Sequence, residues 1–108
     1  MSYQVVVANR AVEELELAAR WWAEHRSLGQ AERWYDGFIQ VILTLDQAPE
    51  RCSLARESDK FPFEIRQLVY GLGRKRTHRA VFTIRQETVV VLSVRHLAQG
   101  DLDSGDLP

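Results

Sequence analysis

Cysteine is nearly absent from this sequence, since Cys52 is the only one among 108 residues. A single thiol cannot form an internal disulfide, and it excludes a metal centre built from several cysteines. The three histidines are widely separated, at His25, His78 and His96, and form neither an HxxxH nor a Cys-His spacing. We therefore predict no metal site and no bound cofactor.

Long hydrophobic runs are also missing. No apolar stretch approaches the roughly 20 residues of a membrane-spanning helix. The N-terminus, MSYQVVVANR, lacks the basic start and apolar core of a signal peptide. We therefore expect a cytoplasmic protein with no membrane contact. Its length and its 45% apolar content suit one packed domain. We predict that residues 1–98 form this domain, followed by an acidic, flexible tail over residues 99–108.

Common catalytic motifs are absent as well. The segment GLGRK, residues 71–75, lacks the third glycine of GxGxxG and does not match GxxxxGK[ST], so it is predicted to be a basic turn. Nothing around Ser27, Ser53 or Ser93 resembles the sharp turn that presents a nucleophile. These absences exclude a recognisable nucleotide-binding loop and a serine hydrolase.

Charge is distributed unevenly along the chain, although the net charge is only −1. Residues 1–59 carry six arginines against ten acids, whereas residues 60–98 carry eight Lys or Arg against two acids. The tail adds three aspartates. The basic segment is compatible with contact to a nucleic acid or an acidic protein segment. It is equally compatible with a charged sheet edge that resists aggregation.

Hydrophobic spacing predicts a short first strand and two helices. The segment YQVVVA, residues 3–8, is β-branched and precedes Asn9, a residue type that caps helices. Apolar residues at helical spacing then predict a helix over residues 10–25. Ser27 and Gln30 have the spacing of a capping box for a second helix, which Pro49 should end at Ala48.

The second half of the sequence predicts three strands. The segments FEIRQLVYG, THRAVFTI and TVVVLSVRH are rich in β-branched residues and are separated by polar turns. In the second of them, one set of alternating side chains is apolar and the other is mixed. The predicted class is α+β, in the order β-α-α-β-β-β. A helix hairpin should pack on one face of a mainly antiparallel four-stranded sheet.

Cations on these strands are the candidate functional residues. If Arg66, Arg79 and Arg95 share the sheet face opposite the helices, they could bind phosphates or carboxylates through bidentate hydrogen bonds. His96 could then transfer a proton. The structural alternative is that the arginines pair with nearby acids and that His96 ends a strand. Trp21 lies off the main apolar stripe of the first helix, so we expect it at an interface.

The ordered set of segments resembles the ParE/RelE superfamily of type II toxin–antitoxin toxins, often called plasmid-stabilisation proteins. The resemblance spans most of the chain and rests on AVEELELAARWWAEHR, AERWYDGFIQVILTLDQAPERC, IRQLVYG, HRAVFTI and VVVLSVRHLAQGDL. It implies a small growth-inhibiting toxin held inactive by a cognate antitoxin from an adjacent gene. It also leaves open a homo-oligomer of toxin–antitoxin complexes.

The superfamily implies two alternative activities. RelE-like members cleave mRNA on the ribosome, and this would make Arg66, Arg79 and His96 the catalytic candidates. However, the last tyrosine here is Tyr70, and aspartates replace the C-terminal basic cluster of RelE-like enzymes. ParE-like members inhibit DNA gyrase by protein contact, and the ending VRHLAQGDL is more similar to theirs.

We therefore favour the ParE-like branch and expect no catalysis. Partner or target contact is then expected at Arg66, Arg79, Arg95, His96 and Trp21. A third interpretation is a degenerate, non-toxic homologue that only binds the antitoxin.

Overall fold

The computed structural model describes residues 2–106. Within them, two helices and four strands follow one another in the predicted order. They are β1 (Gln4–Val7), α1 (Asn9–His25), α2 (Leu28–Leu43), β2 (Arg66–Tyr70), β3 (His78–Arg85) and β4 (Thr88–His96). The α+β class and the helix hairpin on one sheet face are thus confirmed. No helix in this part of the chain is long and apolar enough to cross a membrane.

The two helices begin differently from one another. Ser27 caps α2 as predicted, because its Oγ accepts the N–H of Gln30 at 3.1 Å. The predicted cap of α1 is wrong: Asn9 is already helical, and Ala8 holds the cap position without a side-chain bond. The backbone explains this difference, since the N–H of Ala8 donates to Val91 O and continues the pairing of β1 into the helix start.

Helix α2 ends earlier than Pro49 suggested. It stops at Leu43 and tightens into a 3-10 turn over Thr44–Asp46. Ala48 then adopts a left-handed conformation, with φ of 45°, immediately before the proline. Pro49 therefore excludes helical geometry at Ala48, as expected, but the helix has already ended.

The sheet has the order β1-β4-β3-β2. β1 runs parallel to β4, whereas the β4–β3 and β3–β2 pairs are antiparallel. The pairing of β3 with β4 shifts register between Val81 and Phe82, so Leu92 is the extra residue of a bulge.

Each face of the sheet covers its own core. The helices pack on one face, the helix face, and bury Trp34, Phe38 and Phe82 between them and the sheet. The opposite face was expected to be only partly apolar. Here it is covered by the irregular segment 53–65, which buries Ile65 against Val81. The sheet therefore has one hydrophobic core on each of its two faces.

The segment after β4 returns to this second core. Leu102 is 1% exposed and packs with the cluster around Ile65 and Val81. Asp101 forms ion pairs with Arg56 and Lys60. The domain boundary at residue 98 and the flexibility of the tail stay predictions, but these contacts favour a domain that extends to Leu102.

Helix α1 also covers an open edge of β4. β1 pairs with β4 only over Thr88–Val91, so the later N–H groups of β4 have no strand beside them there. Glu14 fills this gap, because its Oε1 accepts the N–H of Val94 at 3.0 Å and the hydroxyl of Ser93 at 2.9 Å.

Candidate functional site

Two of the predicted contact residues, Trp21 and His96, meet in one pocket. It lies where the end of α1 approaches the start of β3 and the end of β4, and its volume is about 490 Å³. We call it the histidine pocket, and it is lined by Ala18, Trp21, Trp22, Arg26, Lys75, Arg76, Thr77, His78 and His96. Local sequence explains the convergence: α1 supplies one wall, and the basic turn before β3 supplies the other.

The histidine pocket carries an unbalanced positive charge. Arg26, Lys75 and Arg76 line it, and none of the described residues that line it is acidic. Nor does any of these three cations form an ion pair with a carboxylate among residues 2–106. The pocket therefore presents three cationic side chains without an internal counter-charge, which favours an anionic ligand.

The two histidines stand directly opposite each other on β3 and β4. His78 pairs with His96 in the sheet register, and their ring centroids are 5.1 Å apart. Burial, with the nearby His96 adding to it, lowers the pKa of His78 to about 4. The ring is therefore neutral at pH 7.

The hydrogen bonds of these rings leave donors for a ligand. Nδ1 of His96 accepts the N–H of Ala98 at 3.0 Å, which assigns the proton of a neutral His96 ring to Nε2. Nδ1 of His78 lies 2.8 Å from the hydroxyl of Thr77, and its Nε2 has no hydrogen-bond partner within the described chain. Each ring thus keeps one nitrogen available.

Aromatic rings form the apolar part of the pocket. Trp21 is 48% exposed and stacks on His25 with a centroid separation of 4.6 Å. Its other neighbour, Trp22, meets it edge to face at 5.5 Å. Trp21 therefore does lie on the surface, as its position off the apolar stripe suggested.

Arg79 and Arg95 lie on the opposite face of the sheet, away from this pocket. They are paired across β3 and β4, so their side chains point to the same side. Arg79 is 1% exposed and forms a bidentate ion pair with Glu57, at 2.8 and 2.6 Å. Gln67 also accepts from Arg79, at 3.1 Å. Arg79 is consequently a buried structural cation rather than a surface group.

The acid that pairs with Arg79 is Glu57, which the sequence did not single out. Glu57 is fully buried and also accepts the N–H of Leu102 at 2.8 Å. Burial alone would raise the pKa of Glu57. The hydrogen bonds from Arg79 and Leu102 outweigh burial and lower that pKa to about 2. Glu57 is therefore charged at pH 7, and it links β3, through Arg79, to the tail, through Leu102.

Arg95 is buried in the same region. It is 6% exposed, and its guanidinium donates to the carbonyl of Gly100 at 2.6 and 3.1 Å. Burial lowers the pKa of Arg95. Arg95 and the adjacent His96 point to opposite faces, because side chains alternate along a strand. Arg95 therefore holds the segment after β4 through its hydrogen bonds to Gly100, whereas His96 lines the histidine pocket.

Arg66 lies apart from both groups. It pairs with Phe82 in the register, which places it on the helix face, and it donates to Cys52 O at 2.7 Å. A weaker contact joins it to Glu64 at 3.7 Å. The expectation that Arg66, Arg79 and Arg95 share one face is therefore wrong for Arg66, because its register partner Phe82 is three positions after Arg79 and side chains alternate along a strand.

A wider groove of about 970 Å³ lies over the sheet face opposite the helices. Phe63, Thr83 and Leu92 line it, and Arg85 lies over the ring of Phe63 at 5.1 Å. The start of α1 closes one side through Asn9. The groove does not contain any of the predicted site residues.

Sequence comparison matches residues 5–100 to the family described as ParE toxin of type II toxin-antitoxin system, parDE. The chain belongs to the ParE toxin family. This confirms the resemblance, and the toxin class with it. No curated protein matches the chain in sequence.

Two solved structures share the fold of this ParE-family chain. One is the chromosomal ParDE toxin–antitoxin system of P. aeruginosa, with a TM-score of 0.70 and 16% identity, covering 88% of this chain and 96% of that one. The other is a mutant of the E. coli toxin RelE in the free state, with a TM-score of 0.53 and 18% identity. That match covers 87% of this chain and 82% of the RelE chain.

Sequence reasoning missed several pocket residues of this ParE-family chain. Arg26, Lys75 and Arg76 were counted only as charges, and His78 only as an isolated histidine. One signal was available: the strands THRAVFTI and TVVVLSVRH form a hairpin, and counting outward from its turn pairs His78 near His96. Whether Trp21, His96 or the arginines contact a partner stays a prediction.

Proposed function

We propose that this ParE-family toxin inhibits DNA gyrase by protein contact in the cytoplasm, and that an antitoxin encoded by an adjacent gene neutralises it. The observation that carries the choice of gyrase over mRNA is the separation of the three nuclease candidates. Arg79 is buried against Glu57, Arg66 lies on the helix face, and His96 lines a pocket at the end of the sheet.

Phosphodiester cleavage requires a base, an acid and cations that converge on one phosphate. The guanidinium of Arg79 is 1% exposed and bonded at both terminal nitrogens, and its remaining donor, Nε, is buried, so an RNA phosphate cannot reach it. Contact with a protein target needs no such convergence. The exposed side chains of Trp21 and His96 are the predicted contact residues that a partner can reach.

Growth arrest tests the toxin activity. We expect cells that express the chain without its antitoxin to stop dividing, and co-expression of the adjacent gene to restore growth. Normal growth with soluble protein in the cells would contradict this expectation and would support the degenerate, antitoxin-binding homologue instead.

The target is tested with purified protein. We expect loss of DNA supercoiling by gyrase, with trapped cleavage complexes, at toxin concentrations that leave ribosome-bound mRNA intact. Codon-positioned cuts in mRNA would reject gyrase and support the RelE-like activity. His96→Ala separates the two further, because a nuclease that uses His96 as its base would lose about 100-fold or more in rate.

The assembly of toxin–antitoxin complexes into a larger homo-oligomer stays a prediction. Light scattering of the purified complex measures its mass directly.

A further inference from the structure

We propose that the histidine pocket binds a free nucleoside monophosphate, that is, a phosphate monoester attached to a planar base. The phosphate lies among the cations and the ring nitrogens of the pocket, and the base lies on Trp21. Such a ligand would bind the toxin without gyrase or an antitoxin. The site therefore goes beyond the proposed function and is tested on the purified chain alone.

The ring of His78 indicates a polar ligand inside the pocket. His78 is only 8% exposed, yet its Nε2 has no hydrogen-bond partner within the described residues. When the hydroxyl of Thr77 donates to Nδ1 of this ring, Nε2 carries a proton that needs an acceptor. Nε2 of His96 also carries the proton of its neutral ring, and both histidines line the same pocket. A ligand with several acceptor oxygens satisfies both donors.

Charge favours a phosphate monoester over a carboxylate as that acceptor. Arg26, Lys75 and Arg76 line the pocket, no described lining residue is acidic, and none of the three cations is ion-paired within residues 2–106. A phosphate monoester carries about −1.5 to −2 charges at pH 7 and has three strong acceptor oxygens. A carboxylate offers one charge and two oxygens. The phosphate therefore balances more of the pocket's charge and accepts from cations and rings together.

The size and the aromatic wall of the pocket favour a planar base attached to the phosphate. The volume of about 490 Å³ lies within the usual range for small-molecule sites and exceeds what a phosphate group alone fills. Trp21 lines the pocket and is 48% exposed, while His25 stacks on its indole at 4.6 Å and holds it in place. Nucleotide bases stack on such aromatic side chains whatever their identity. A base on Trp21 thus covers aromatic surface that a simple anion leaves in water.

Acidic side chains beside the pocket favour a free nucleotide over a nucleic-acid strand. Glu13, Glu16 and Glu24 are exposed on α1, the helix that forms one wall of the pocket. A strand that continued from the pocket along this helix would bring further phosphates close to these carboxylates, and like charges repel. On the opposite face of the sheet, Arg79 and Arg95 are buried. The positive charge of the pocket therefore suits one phosphate group better than a chain of them.

Titration calorimetry of the full chain with three ligands tests the chemistry of the site. We expect adenosine 5′-monophosphate (AMP) to bind with a Kd below about 1 mM. Inorganic phosphate lacks the base and should bind at least about fivefold more weakly, whereas adenosine lacks the charge and should not bind detectably. In NMR spectra, AMP should shift the ring resonances of both His78 and His96.

Two double substitutions test the position of the phosphate. Lys75→Gln with Arg76→Gln removes two cations of the pocket wall, and Arg33→Gln with Arg74→Gln removes two exposed cations that do not line it. We expect the pocket variant to bind AMP at least about tenfold more weakly, and the control variant to stay within about threefold of the unmodified chain.

Trp21→Ala tests the position of the base. Leu17→Ala is the matched control, since Leu17 is 58% exposed one turn earlier on α1 and does not line the pocket. We expect Trp21→Ala to weaken AMP binding about fivefold or more, Trp21→Phe to retain most of the affinity, and Leu17→Ala to leave it unchanged. Circular dichroism and the Tm establish that each variant is folded. Arg26→Gln replaces the double pocket variant if that variant does not fold.

Four results would overturn the proposal. They are no AMP binding by the folded chain at about 10 mM, equal Kd values for the pocket and control variants, and equal affinity for AMP and inorganic phosphate. The fourth is binding of single-stranded DNA of about four nucleotides, without a terminal phosphate, at least tenfold more tightly than AMP. The pocket would then belong to a nucleic-acid surface. Growth arrest and gyrase inhibition are measured separately, so failure of the nucleotide site leaves the proposed function standing.

Discussion

At the scale of single residues, Glu57 links two separate parts of the fold, although the sequence did not single it out. Its carboxylate joins a strand cation, Arg79, to the backbone of Leu102. Removing one partner of a buried ion pair leaves the other charge without compensation, and this costs about 3–5 kcal/mol. The Glu57–Arg79 ion pair therefore stabilises the sheet face opposite the helices.

Replacement of Glu57 by glutamine tests this role. We expect Glu57→Gln to lower the free energy of unfolding by about 3 kcal/mol, because Arg79 stays buried without its anion. Chemical denaturation measures the change. Glu64→Gln is the matched control, since the side chain of Glu64 is 72% exposed and its contact with Arg66 is 3.7 Å long. That control should change stability by less than about 1 kcal/mol.

The same carboxylate makes stability depend on pH. Its pKa falls from an ordinary value of 4.5 to about 2 on folding. The unfolded chain therefore binds a proton first as the pH drops, and the stabilisation that is present above pH 4.5 is lost between 4.5 and 2. The loss attributable to Glu57 is roughly 3 kcal/mol. Between pH 6 and pH 2, the free energy of unfolding should fall more in the unmodified chain than in Glu57→Gln, as measured by chemical denaturation. Equal falls in the two chains would contradict this assignment.

At the scale of elements, the turn between β2 and β3 positions the basic wall of the histidine pocket. Gly71 begins this turn, and a Cβ added there would lie 1.8 Å from the carbonyl oxygen of Lys75. The clash is with backbone, so no side-chain rotation relieves it. Glycine at this position therefore fixes where Lys75 and Arg76 lie.

Alanine at this glycine should open the turn. We expect Gly71→Ala to destabilise the protein by about 1–3 kcal/mol and to shift the NMR resonances of His78 and His96. Gly100→Ala serves as the control, because no atom lies within 4 Å of the Cβ it would add. Unchanged stability and unchanged histidine resonances in Gly71→Ala would show that the turn is less tightly constrained.

Regular elements were predictable because their signals are local. Alternation of side chains located the strands that begin at His78 and Thr88, and helical spacing located both helices. The site was predictable only in part. Arg79 pairs with Glu57, which lies in an irregular segment without sequence periodicity. The sheet face on which Arg66 lies depends on the register between β2 and β3. Such contacts depend on the whole folded chain, so local patterns in the sequence do not predict them.

At the scale of the whole molecule, the question is where the domain ends. The tail was predicted to begin at residue 99, yet Leu102 is 1% exposed in the second core. A leucine at such a site contributes about 2–5 kcal/mol relative to alanine. The acidic segment therefore packs against the sheet face opposite the helices as part of the folded domain.

Truncation distinguishes the two domain boundaries. We expect a chain that ends at Ala98 to lose at least about 2 kcal/mol of stability, because Leu102 leaves the core and Glu57 and Arg95 lose backbone partners. A chain that ends at Asp103 keeps these contacts and should melt close to the full-length protein. An equal Tm for both truncated chains would support the boundary at residue 98.

The position of Glu14 has a consequence for how copies of this protein meet. Exposed N–H groups along a strand are sites at which a strand from another molecule can add. Oε1 of Glu14 already occupies the N–H of Val94, where β1 no longer covers β4. The carboxylate of Glu14 thus satisfies an edge N–H near the end of β4 that would otherwise be a site for pairing with a strand of a second copy.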